Sequence, residues 1–93
     1  VGEVIASERV EKSSKLLKNT VKIGDETRTI LSGIAKYYTP EEMVGKRVVV
    51  VTNLKPRMMC GYESSGMILC AEKDGKVVLV SPEKAVESGA EVC

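Results

Sequence analysis

The chain has 93 residues, a formal net charge of +1 and 43% hydrophobic side chains, which describes one small domain with a modest core. It has no histidine and three cysteines without a C-x-x-C pair, so a zinc set and a histidine-assisted nucleophile lack their groups. No apolar run reaches the roughly 18 residues of a membrane helix, and acidic residues come too early for a signal peptide.

Val1 in place of a starting methionine, ahead of strand-like "VGEVIAS", reads as a segment of a longer chain. In "LLKNTVKI", Leu17, Val21 and Ile23 share one face and Lys18, Thr20 and Lys22 the other, the period of a half-buried strand. Asn19 falls on the apolar side and predicts a bend or a barrel mouth. "GD" at 24–25 then turns the chain into β-branched "ETRTIL". "TPEEMVG" predicts a helix of barely two turns, with Thr39 as N-cap, Pro40 at the first position, Glu42 closing a capping box and Gly45 as the stop. Its acids suit a helix N-terminus and are read as structural.

"RVVVV" and "MILCA" are continuous apolar runs of buried-strand length, and "EKDGKVVLV" holds the hairpin signal Asp74-Gly75. The order predicts an all-β, five-stranded OB-fold barrel over about residues 1–80, with one short helix between strands 3 and 4. Gly2, Gly33 and Gly61 would absorb the sheet curvature. Residues 81–93, "SPEKAVESGAEVC", form a turn-rich C-terminal extension with no obvious place in the barrel.

Charge is uneven along the chain. Residues 12–22 carry four lysines and no acid, residues 27–57 carry six cations against Glu41 and Glu42, and residues 58–93 carry six acids and three lysines. The first two parts could fold into one positive face; the alternative is lysines scattered over a solvated surface. Cys60, Cys70 and Cys93 read as free thiols of a reducing compartment, the cytoplasm, with Cys70 packed in a strand.

"NLKPRMMCGYESSGMILCA", residues 53–71, concentrates the unusual chemistry. Lys55 and Arg57 flank Pro56, Met58 and Met59 follow, and a Gly/Ser-spaced turn precedes the next strand. On an OB scaffold such cations beside a proline-stiffened turn can hold phosphates, and the methionines with Tyr62 could lie under a ribose or base. The chain has three tyrosines, no Phe and no Trp, so shape and phosphate contacts must carry recognition, which favours a folded RNA.

This stretch strongly resembles the signature of the tRNA-binding domain at the C-terminus of bacterial methionyl-tRNA synthetases. The same domain occurs in free-standing bacterial tRNA-binding proteins, in the phenylalanyl-tRNA synthetase β chain and in the endothelial-monocyte-activating polypeptide. "VGEVI", "KSSKLL" and "TRTILSGIAKYYTPEEMVGKRVVVVTNLKPR" extend the likeness over nearly the whole chain. The positions matching the family motif are Lys15, Ser32, Gly33, Asn53, Leu54, Pro56, Arg57, Gly61, Ser65, Gly66 and Met67.

The resemblance implies non-catalytic, structure-directed tRNA binding without cofactor or metal. It also implies attachment to an ATP-dependent methionine–tRNA ligase, and a homodimer paired through the extension. Lys15, Lys55 and Arg57 are the first expected phosphate or ribose contacts, followed by Lys18, Arg28, Lys36, Asn53 and Ser65. Met67 is open between core residue and RNA contact, and Leu54 is expected in the core. Two departures stand out: Cys60 where many relatives carry a basic residue, and "VEKSS" where His, Pro and Asp are common. The alternative is a free-standing dimeric tRNA-binding protein or a dimeric, secretion-type chaperone of the same fold, the latter offering Met58, Met59, Met67 and Tyr62 to unfolded chains.

Overall fold

The computed structural model describes residues 1–93, which are almost entirely β with one short helix. Three long strands, β1 (Gly2–Arg9), β2 (Leu17–Ile23) and β3 (Glu26–Ser32), make an antiparallel meander. β4 (Arg47–Val48) extends it on the far side of β1, giving the order β3-β2-β1-β4.

The alternation expected of β2 holds: Leu17 and Val21 are fully buried while Lys22 faces solvent. Asn19 lies in the same row and is also fully enclosed. Ser7 Oγ donates to its Oδ1 at 2.8 Å, and its Nδ2 donates to the Ile30 carbonyl at 3.3 Å. The buried amide is therefore satisfied; left bare, it would cost on the order of 1–3 kcal/mol. The bend expected at Asn19 falls in the partner strand instead. The pairing register shifts between Val4 and Ala6, where β1 carries the extra, exposed Ile5. Such a bulge sharpens the local twist and lets the sheet curl.

Helix α1 (Pro40–Met43) is capped as its residues predict. Thr39 Oγ1 accepts from the Glu42 N–H at 3.2 Å, and Glu42 Oε1 accepts from the Thr39 N–H at 3.0 Å. The helix sinks Met43 into the core and is followed by Gly45 at φ 92, whose N–H reaches the Val4 carbonyl at 2.7 Å. Tyr38 packs half-buried beside it, its hydroxyl accepting from the Leu79 N–H at 3.1 Å, while Tyr37 stands in solvent.

"RVVVV" is not one buried strand. β4 pairs with β1, whereas β5 (Val50–Val51) pairs with β8 (Met67–Ile68), so the chain changes sheets at Val49. Only Val48 is fully buried; Val49, Val50 and Val51 are half-buried. "MILCA" breaks likewise at exposed Leu69, between β8 and β9 (Cys70–Lys73), and the Leu69 N–H donates to the Val49 carbonyl at 2.9 Å. A strand that passes from one sheet to another turns a corner there, and both apolar runs do so.

β9 and β10 (Lys76–Leu79) form the expected hairpin, with Asp74 and Gly75 at φ 53 and 77. A second hairpin interrupts the stretch read as a turn: β6 (Arg57–Met59) pairs with β7 (Tyr62–Ser64) around Cys60 and Gly61, at φ 50 and 86. Gly61 thus serves a two-residue turn rather than sheet curvature.

With β4–β5 and β8–β9 each counted as one bent strand, these two and β1, β2 and β3 make the five strands of an OB-like, curled antiparallel fold with its helix between strands 3 and 4, to which the β6–β7 hairpin and β10 are added. The core holds Val4, Leu17, Val21, Ile30, Met43 and Val48. Cys70 packs against it as a small hydrophobe, and burial raises its thiol pKa. Residues 81–93 contain no strand or helix and fold back on the start of the chain. The Gly89 N–H donates to the Val1 carbonyl at 2.6 Å, the Val1 nitrogen to the Ala90 carbonyl at 2.7 Å, and Arg47 Nε to the Val86 carbonyl at 2.6 Å.

Candidate nucleic-acid interface

The segment between β5 and β8 builds one wall of a groove of about 390 Å³ beside β3. Leu31, Leu54, Met59 and Met67 supply its apolar surface, Lys55 and Arg57 its cations, and Ser64 and Gly66 complete the lining. Strand alternation turns Arg57 and Met59 to the groove and sends Met58, 67% exposed, the other way.

The hairpin β6–β7 is held against β3 by small residues. The Leu31 N–H donates to the buried Ser64 Oγ at 3.0 Å, which itself donates to the Gly66 carbonyl at 3.3 Å. The Ser65 N–H donates to the Thr29 carbonyl at 2.8 Å. Gly66 sits at φ 142, and a Cβ there would stand 3.0 Å from the Val51 carbonyl oxygen. No larger residue permits that approach.

The ion pairs join Lys18 to Glu8 at 3.2 Å, Arg28 to Glu26 at 3.1 Å and Arg47 to Glu3 at 3.4 Å. Lys55 and Arg57 enter none of them and are exposed, so their charge is available to an anion. No group of three or more acidic or cysteine side chains is placed to hold a metal, and no helix is long and apolar enough to cross a membrane.

Of the site residues read from the sequence, Lys55, Arg57 and Met67 meet in the groove. Met67 is 51% exposed there and is not a core residue; Leu54, expected in the core, is 43% exposed and lines the same groove. Its strand-flanking position looked apolar and internal, but the loop after β5 leaves the barrel before reaching it.

Arg28 is a strut. Its guanidinium donates to the Thr52 carbonyl at 2.9 Å and the Ser65 carbonyl at 3.2 Å, tying both ends of the groove wall to β3. Ser65 takes part in that same tie. Lys18 lies half-buried, its ammonium 4.4 Å from the Tyr62 ring centre as well as on Glu8. Lys15 and Lys36 are exposed on neighbouring loops joined by the Ala35 N–H and the Lys15 carbonyl at 3.0 Å. Asn53 is exposed but lines a different hollow, with Val1 and the tail residues Gly89 to Val92. Sequence reasoning missed Leu31 and Ser64 as groove residues. Nothing in a strand pattern announces Leu31, whereas the serine pair at 64–65 inside a motif of small residues was the available signal.

Residues 1–91 match the family model of the tRNA binding domain. Over its whole length the chain is 60% identical to the methionine–tRNA ligase of Archaeoglobus fulgidus, of which it spans about 14%. Among solved structures it is similar to a methionyl-tRNA-synthetase-related protein from Pyrococcus horikoshii, with a TM-score of 0.92 and 43% identity, covering 99% of this chain and 85% of that one. The chaperone CsaA of Bacillus anthracis shares the fold, with a TM-score of 0.89 at 24% identity over 99% of this chain and 86% of that one.

Proposed function

The chain belongs to the tRNA binding domain family, and from that premise we propose that it is a non-catalytic module that binds tRNA by shape and phosphate, in the cytoplasm and without a cofactor. The observation that carries this reading is the groove whose two cations, Lys55 and Arg57, have no acidic partner. Exposed Lys15 and Lys36 extend the positive surface, and the scarcity of aromatics leaves little means of reading base edges. The parent chain in this reading is a methionine–tRNA ligase. The module then acts as a tether, a second weak contact that raises the effective tRNA concentration at the catalytic body. Two modules paired about a two-fold axis would place two such grooves on one tRNA and add avidity.

The test is a salt titration with several unrelated tRNAs. With three to five phosphate contacts, log affinity falls with log salt at a total slope of roughly 2 to 4, similarly for every tRNA. Salt-independent binding, or binding of a single species, would sink the reading.

Exposed Leu54, Met58, Tyr62 and Met67 favour a second reading, capture of unfolded chains. In that case an unfolded, reduced protein binds to the chain, and Arg57→Ala leaves that binding intact.

A further inference from the structure

The groove combines two features that a purely phosphate-binding surface does not need. Its walls carry three flexible apolar side chains, Leu54, Met59 and Met67, the first and last of them about half exposed. Its volume of about 390 Å³ suits a small ligand, near the lower end of the ~300–1,000 Å³ usual for such sites.

We propose that the groove takes one unstacked nucleotide of the bound tRNA, its base lying against Met59, Met67 and Leu54 and its phosphate on Lys55 and Arg57. This rests on the tRNA-binding reading and deepens it. Charge selects the occupant: a base with its phosphate satisfies the apolar wall and the unpaired cations together, whereas an apolar peptide leaves the cations unanswered. Thioethers are polarisable and adapt to flat rings without demanding one ring shape. The one polar side chain inside the lining apart from the cations is Ser64. Its hydroxyl is already committed to the Leu31 N–H and the Gly66 carbonyl. Nothing in the lining is therefore set to read a base edge, and the site accepts any base that the RNA fold presents unpaired. Bases inside an A-form stem are not available to it.

The experiment uses residues 1–93 and two RNAs of equal phosphate number, a stem-loop carrying 2-aminopurine as an unpaired nucleotide and a fully paired duplex. The stem-loop is expected to bind roughly two- to tenfold more tightly, the range of sulfur–ring contacts, with a saturable change in 2-aminopurine emission. Met67→Gln removes the margin and the emission change while duplex binding and its salt slope stay. Met58→Gln, on the opposite face, keeps both. Circular dichroism checks each fold; if Met67→Gln does not fold, Leu54→Ser in the exposed loop carries the same test. Equal affinity for the two RNAs, or equal effects of the Met58 and Met67 variants, overturns the nucleotide site and leaves phosphate binding standing. Binding of a tRNA run beside them with no binding of either RNA overturns the nucleotide site, since any unpaired base should suffice, and failure of the tRNA as well at low salt overturns the tRNA-binding reading.

Discussion

Arg28 and Arg57 look alike in the sequence, each a cation among β-forming or loop residues, yet their surroundings give them opposite work. Arg57 is exposed, unpaired and in the groove. Arg57→Ala is expected to weaken every tRNA by about 1–3 kcal/mol and to lower the salt slope, with the denaturation curve unchanged. Arg28 spends its donors on Glu26 and on the Thr52 and Ser65 carbonyls. Hydrogen bonds to a charged group contribute about 1.5–3 kcal/mol, so Arg28→Met should lower the stability read from urea unfolding by an amount of that order. Lysine lacks the planar fork that reaches Glu26 with two nitrogens while a third bonds both carbonyls, and Arg28→Lys is not expected to restore the full set. An Arg28 variant with native stability and lost tRNA affinity would make it a contact rather than a strut.

At the scale of elements, the hairpin β6–β7 presents the groove's cation Arg57 but has little core of its own; Ser64 is its one buried side chain. Ser64→Ala leaves the buried Leu31 N–H without its side-chain acceptor, a loss of about 1–3 kcal/mol. It also loosens the hairpin, which the bonds at Ser65 still hold, so tRNA affinity should fall although no charge is removed. Thr39→Ala removes the cap of α1 at a cost of about 0.5–2 kcal/mol and serves as the control, because tRNA affinity should hold at temperatures where the chain stays folded. Equal losses of affinity in the two variants would mean that binding follows global stability and not the placement of the hairpin.

For the whole molecule, the outer face of β9–β10 is an uncovered apolar surface. Val78 pairs with Ala71 and the Val80 N–H bonds the Leu69 carbonyl, so these four side chains share one face, and all are exposed. The tail beyond them binds back on Val1 and Arg47 of its own chain. If two copies pair as proposed, this hairpin face is the apolar surface beside the tail that they would bury. Sedimentation equilibrium at micromolar concentration should then find a dimer, and Val78→Glu a monomer that keeps the β-type circular dichroism. A monomeric unaltered chain would remove the avidity argument while leaving the single-module salt slope in place.

Residues close together along the chain determine a good deal here by themselves. The two-residue period of β2, the Thr39/Glu42 cap and the Asp74-Gly75 turn each express local backbone chemistry, and each stands in the structure as read. The long motif at 53–71 likewise identified the family, because a family likeness is carried by the order of side chains. Tertiary structure alone decided the rest. Val48 to Val51 and "MILCA" are uniformly apolar, so nothing in them marks Val49 and Leu69 as corners; the pairing of each half with a different sheet chose those points. Leu54 and Met67 have the composition of core residues and lie at the surface, since burial depends on what stands opposite. Arg28 became a strut and Arg57 a free charge because carbonyls from residues 52 and 65 converge on the first and no acid reaches the second, a matter of distances across the fold that no spacing along the chain contains.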